Sequence, residues 1–234
     1  ASNLSTGDVI DFIIVFGNSL SAGTPTDDTV TAAKLNDDII SGQTALASEP
    51  ADTDEFLVSD AGTLKRIDYS LIKGGGITEA DQWRLSSNFE TSSGDITANL
   101  ERNDSTGYGK IGTGMSESSG IFTFASTGIY LVEFNVLAYG SGVGDVRYAG
   151  GQIYVTTNNS SYSKIVEAWN GCNQHGSPYY FSSNMKILFD VTDTSTHKVK
   201  FNVAASATVF FNGTTTENRT HMTFIRLGDT WWQI

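Results

Sequence analysis

The sequence holds one cysteine, Cys172, among 234 residues. No disulfide can form within the chain, so burial or self-association must stabilise it. No flanking signature marks Cys172 as a nucleophile, and it reads as a small inert side chain. Proline is scarce, at 3, and charged residues make up only 17%. Bases are the scarcer sign: 14 Lys and Arg face 26 Asp and Glu, for a net charge of −12. That leaves no basic footprint for nucleic acid. The apolar run Val9 to Phe16 is interrupted by Asp11. It is too short for a leader or a membrane span. Phosphate-loop glycines and zinc-ligand spacing are missing. No nucleophile motif surrounds any serine. A carboxylate pair such as Asp145 with Glu217 is all that glycosidase chemistry would have to work with. Asp37, Asp38, Asp52 and Asp54 lack the spacing of a calcium loop and read as solvated acid. The expectation is a non-enzymatic protein with no cofactor and no metal.

What is present is glycine, at 24, with abundant Ser and Thr and 11% aromatic residues. Short strands joined by many turns suit that composition, so an all-β sandwich or barrel is expected. The organising stretch is Ile121 to Leu137. A short strand, Ile121 to Phe124, meets a turn ending at Gly128, and a long strand follows. Tyr130, Val132, Phe134 and Val136 share one face, which is wholly apolar and belongs in a core. Ile129, Leu131, Glu133 and Asn135 share the other, which begins apolar and ends polar, as on a sheet covered along part of its length.

Phe122 and Phe124, then Thr127-Gly128-Ile129-Tyr130 and an alternating strand, resemble the centre of C1q/TNF-like domains. The likeness extends by strand spacing over about residues 83 to 228. Upstream, Thr31 to Ile40 and Asp54 to Ile67 are similar to shaft segments of phage fibre and virion-surface proteins. The resemblances imply a C-terminal C1q/TNF-like jelly-roll sandwich preceded by a short trimeric stalk with a β-hairpin and a short helix. They also imply a virion-surface location, with assembly in the host cytoplasm.

Along the chain, residues 1–28 form a docking segment. Val9, Ile10, Phe12, Ile14 and Phe16 make a strand that needs a partner, either another virion protein or the same strand of neighbouring copies. Residues 29–82 form an acidic stalk: residues 1–82 hold 14 acids against 4 bases, and residues 83–234 hold 12 against 10. A helix of two or three turns capped at Asp28 or Thr29 would end before Gly42, with Ala32, Leu35 and Ile39 in one stripe. Next, Asp60-Ala61-Gly62 is read as a three-residue hairpin loop that sets Val58 opposite Leu64. An isolated hairpin is marginal in water, and three copies around an axis would bury these residues. Leu35, Ile39, Val58, Leu64, Ile129 and Leu131 are therefore the expected trimer contacts.

Residues 83–234 carry the strands: Trp83 to Phe89, Ile96 to Glu101, Lys110 to Ile111, Ile121 to Phe124, Ile129 to Ala138, Gly151 to Thr157, Tyr162 to Trp169, Tyr180 to Asp190, His197 to Ala204, Thr208 to Phe211 and His221 to Leu227. Their count and spacing match a jelly roll. The tail brings Trp231 and Trp232, a large apolar area that calls for a packing partner. Alternate loops of a jelly roll share one end, and the C1q/TNF resemblance makes that end distal. The expected ligand-binding set there is Trp169, Asn173, Gln174, His175, Tyr179 and Tyr180, with Arg147 and Arg219. Aromatic faces beside planar hydrogen-bonding groups suit a sugar. Aromatic residues that merely plug the open end of the sandwich are the alternative. The sequence thus points to a homotrimer binding a host-surface glycan or protein, or otherwise to a capsid decoration protein that cements a particle.

Overall fold

The computed structural model describes residues 6, 7, 9, 25, 30–73, 75–140, 146–171 and 178–230. They fall into two units, divided between Lys73 and Gly74. Of the docking residues, Val9 is exposed, and Ile10, Phe12, Ile14 and Phe16 lie outside the described residues, as do Trp231 and Trp232.

In the first unit the expected helix is two fragments, a 3-10 turn at Ala32–Lys34 and α1 at Asp38–Ser41. Asn36 causes the break: its side-chain Oδ1 accepts from the Asp38 N–H at 2.9 Å and restarts the helix there. Leu35 and Ile39 are exposed. The hairpin pairs β1 (Glu55–Asp60) with β2 (Thr63–Asp68), followed by the single turn α2 (Tyr69–Ile72). Its register corrects the sequence reading. Val58 faces Lys65, and Leu64 faces Ser59, because Asp60 pairs with Thr63 and the loop is only Ala61-Gly62. Both loop residues have positive φ, 49° and 88°, the signature of a two-residue type I′ turn. The one-residue slip separates the two side chains by face. Leu57 and Leu64, 74% and 69% exposed, share one side. Phe56, Val58 and Ile67 share the other, where Phe56 meets Tyr69 at 6.1 Å.

The second unit is a jelly-roll sandwich, as the strand count and spacing lead one to expect. Its strands are β3 (Ala80–Leu85), β4 (Phe89–Asp95), β5 (Leu100–Arg102), β6 (Ser116–Ser118), β7 (Ile121–Thr123), β8 (Gly128–Gly140), β9 (Tyr148–Thr156), β10 (Ser163–Gly171), β11 (Tyr179–Val191), β12 (Lys198–Phe211) and β13 (His221–Gly228). One layer runs β10-β9-β12, with β4 and β7 on the far edge of β12. The other runs β11-β8-β13-β3-β5. Strand β12 joins them. Its ladder is irregular between Ala204 and Val209, beyond which Phe210 and Phe211 pair with β8. That irregularity merges the expected strands His197 to Ala204 and Thr208 to Phe211 into one.

Strand β8 alternates buried and half-buried residues along its whole length, with Tyr130, Val132, Phe134, Val136 and Ala138 inward. They meet Val199, Phe201 and Val203 of β12 and Ile153 of β9 in one core. The aromatic centre is tight: Phe134 lies 4.9 Å from Phe201, and Phe122 lies 5.2 Å from Phe224. Burying each such ring contributes roughly 1.5–3 kcal/mol.

Buried charges hold the β3–β5 edge. Asp81, 2% exposed, accepts from the Trp83 indole at 2.9 Å, the Met115 N–H at 2.8 Å and the Arg102 Nε at 3.0 Å. Arg84 is wholly buried. Its Nε donates to Glu101 at 2.7 Å, Nη1 to Asn103 and Ser105 at 3.0 Å each, and Nη2 to Asp104 at 3.0 Å and to the Thr215 carbonyl. All five guanidinium hydrogens are used. The segment 103–105 and the loop 212–220 are thereby fastened to β3.

Strand directions decide which ends meet. β8 and β10 finish where β9 and β11 begin, beside the end of β12. The chain enters at Ala80 and leaves at Gly228 on the opposite end, where β3 and β13 are neighbours.

Candidate functional site

A candidate site lies on the outer face of β9 and β10. On β9, Tyr148, Gly150, Gln152 and Tyr154 point outward by period two. The register sets Trp169 of β10 opposite Gly150, and Glu167 opposite Gln152. Gly150 makes room for the indole: a Cβ there would stand 2.9 Å from Trp169 Cε3 and 2.0 Å from the Ala168 carbonyl oxygen. Neighbouring Gly151 faces the core, where a Cβ would meet Phe134 at 2.6 Å. The ring of Tyr148 stands at 80° to that of Trp169, with centroids 5.4 Å apart. The two are 43% and 40% exposed. They border an open groove of about 550 Å³ whose other walls are Gln152, Lys164 and Glu167.

Glu167 orders this groove. It accepts from Lys164 Nζ at 2.6 Å, from Gln152 Nε2 at 3.4 Å and from the Trp169 side chain. Gln152 is held in turn by the Tyr154 hydroxyl, 3.0 Å from its Oε1. The Lys164 hydrogen bond holds the Glu167 carboxyl below its ordinary range against the upward push of desolvation, with the charge of Lys164 and the Trp169 and Gln152 bonds adding to it. Beside the groove, Lys200 packs over Tyr154 and Tyr162 at 5.4 and 4.9 Å and pairs with Asp95 at 2.7 Å. Partial burial pushes the Asp95 carboxyl up, but hydrogen bonds from Lys200 and Asn202 outweigh it and hold the carboxyl low. The result is an aromatic corner, fixed before any ligand arrives, faced by a donor, an acceptor and an amide.

The sequence-expected ligand residues do not gather at one place. Trp169 is in the groove. Tyr180, 58% exposed, lies across the sandwich on the outer face of β11, 6.1 Å from Tyr139, which stacks on Phe210 at 5.0 Å. Tyr179 is only 5% exposed and turns its ring inward against Phe181. Arg219 pairs with Glu217 and borders a separate groove of about 410 Å³ with Asn135, Asn184 and His221. Arg147 is exposed, and its backbone N–H donates to Ser206 Oγ at 2.7 Å. Asn173, Gln174 and His175 lie outside the described residues, as do Cys172 and Asp145. Sequence reading missed Tyr148, Gln152, Lys164 and Glu167. Glu167 was within its reach, since it precedes Trp169 by two and shares its face. Tyr148 needed the cross-strand register.

The expected self-contacts are distributed similarly. Ile129 borders an open apolar hollow of about 370 Å³ with Leu188, Asp190 and Leu227. Leu131 lies next to it on the same outer face of β8, opposite Leu188 of β11 and Ile225 of β13. Farther along, Asn184 Nδ2 donates to Glu133 and Asn135 at 2.6 Å each. Among the described residues no three acidic, histidine or cysteine side chains converge as metal ligands, and no helix is long and apolar enough to cross a membrane.

No protein-family model and no curated protein matches the sequence. Solved structures are similar to it in fold. The Eiger TNF of S. frugiperda is 9% identical over 68% of this chain and 98% of its own, with a TM-score of 0.48. Murine APRIL is similar at pH 8.0, with 12% identity over 64% of this chain and 98% of that one and a TM-score of 0.45. At pH 5.0 it is 15% identical over the same shares, again with a TM-score of 0.45.

Proposed function

We propose that the chain is a self-associating, displayed binding module that seats a carbohydrate on Trp169, acting as the head of a homotrimeric phage virion-surface spike. The observation that carries the binding half is the preorganised corner of Trp169 and Tyr148 facing Gln152, Lys164 and Glu167. A pyranose presents a C–H face to an aromatic ring and hydroxyls to planar polar groups, which is what the groove offers. No reaction is assigned to it; binding alone is the activity.

Self-association is supported by apolar surface without a partner in one copy. Leu57 and Leu64 stand bare on a two-stranded hairpin that is marginal alone. Leu188 and Leu227 stand bare beside Ile129 and Leu131. Three copies closing around an axis would cover both sets. Three weak sugar sites on one rigid head then gain avidity through effective concentration. The virion location rests on the shaft-like segments Thr31 to Ile40 and Asp54 to Ile67, and docking on the apolar sequence run from Val9 to Phe16.

The test is glycan and whole-cell binding by the full chain, with sedimentation to count the copies. Binding that is lost in Trp169→Ala at unchanged melting temperature supports the reading. A folded monomer sinks the spike. Absence of sugar binding, with particles that fall apart when the protein is removed, makes it a cementing decoration protein.

A further inference from the structure

We infer that the sugar taken by the Trp169 groove is a neutral pyranose bearing an acetamido group, its acetyl methyl held in the corner between Trp169 and Tyr148. This rests on the carbohydrate reading above and narrows it.

Charge decides the first half. Among the described residues, the ionic groups lining the groove are Lys164 and Glu167, and they are paired at 2.6 Å. The groove therefore has no net charge to offer. A carboxylate on the sugar would meet Glu167, and a free amine would meet Lys164. A quaternary ammonium, the other common guest of aromatic corners, would have only two ring faces to hold it here, with no free carboxylate beside them because Glu167 is paired to Lys164.

The two rings decide the second half. One exposed indole is enough to stack the C–H face of any hexose. The second ring, at 80° to the first, adds an apolar wall that a plain hexose cannot use, because its rim carries hydroxyls. A methyl group fits such a corner and touches both rings. The polar groups stand on the groove's remaining sides: Glu167 accepts only, Lys164 donates only, and Gln152 does both. A ligand matched to this arrangement has hydroxyls on one side and a small apolar substituent on the other. An N-acetylhexosamine has that polarity.

The experiment is calorimetric titration of the full chain with the methyl glycosides of N-acetylglucosamine, glucose, glucosamine and glucuronic acid, and with their galacto counterparts. The N-acetyl sugar of one series binds at least about tenfold more tightly than its parent hexose, the discrimination a small apolar group gains in an apolar pocket. Tyr148→Ala brings the N-acetyl sugar down to the affinity of the parent hexose, and Tyr148→Phe keeps the preference. Equal affinity for both, or tighter binding of a charged sugar, with Trp169→Ala still abolishing binding, overturns the acetamido inference and leaves the carbohydrate reading standing. If none of the sugars binds a folded wild-type protein, the carbohydrate reading itself falls.

Discussion

Replacing Arg84 tests how the β3–β5 edge is held. Arg84→Met keeps the length of the side chain and removes five hydrogen bonds. It leaves the buried Asn103 Oδ1 with only the Ser105 N–H at 3.2 Å, takes the donor from the Thr215 carbonyl, and leaves the Glu101 side chain, 28% exposed, without its cation. Asp104 is 82% exposed at its side chain and returns to water at little cost. The acids left behind are partly or largely exposed, so the cost is that of the lost hydrogen bonds to a buried charged group, together about 3–5 kcal/mol. For a unit the size of Gly74–Ile234, each kcal/mol lowers Tm by about 2–4 °C, so a fall of about 6–20 °C is expected. Arg84→Lys keeps the charge but has three donors for five acceptors, and loses about 2 kcal/mol. The assay is urea denaturation followed by tryptophan fluorescence at fixed protein concentration, since any self-association would make stability concentration-dependent. Glu101→Gln and the double variant close a cycle that must be non-additive. A loss below about 1 kcal/mol for Arg84→Met, the size of an ordinary substitution, would refute the claim that this network fastens segment 103–105 and loop 212–220 to the sheet.

Other expectations follow from the groove and the bare apolar faces. Because the Glu167 carboxyl titrates below its ordinary range, the hub stays ionised where a free carboxyl begins to take up its proton. Sugar affinity should hold from pH 8 down to the usual carboxylate value near ~4.3 and fall only beneath it; titration across that range checks this, and Glu167→Gln should remove the dependence. Gly150→Ala puts a methyl 2.0 Å from the Ala168 carbonyl. It should destabilise by about 1–3 kcal/mol and abolish binding, as denaturation and calorimetry will show. Leu57→Asp with Leu64→Asp should lower the copy number in sedimentation while the circular dichroism of the head stays unchanged. Leu188→Glu should do the same through the other apolar face.

The parts of the fold legible in the sequence are those fixed by local pattern. The alternation of β8 was plain because its inward residues are all apolar, and it predicted the core face residue by residue. Strand β4 was not legible. Phe-Glu-Thr-Ser-Ser-Gly-Asp has little strand propensity, and it is a strand because β12 offers a ladder to pair with. The hairpin register slipped by one because Ala61 takes a positive φ, which sequence reasoning reserves for glycine, asparagine or aspartate. The stalk helix broke because Asn36 competes for the Asp38 N–H, a choice a stripe of apolar spacing does not report. For the site, Trp169 stood out by residue type. Its partners did not, since Tyr148 lies 21 positions earlier and becomes a neighbour only through pairing of β9 with β10. Arg84 carried no signal at all: a guanidinium in a strand is read as solvent-facing until its acceptors are known.

The chain joins the head at Ala80 and departs at Gly228, on neighbouring antiparallel strands, while Trp169 stands toward the far end. A tether pulling on Ala80 against a surface gripped at Trp169 therefore loads β3 along its own length. Its ladder bonds to β13 and β5 lie crosswise to that force, so they bear the load in shear, together. Peeling, in which bonds fail one by one, would require tension at right angles to the strands. Were the chain anchored at Ala80 and a ligand held at Trp169, as proposed, the load would run along the strands, the direction in which a ladder resists together.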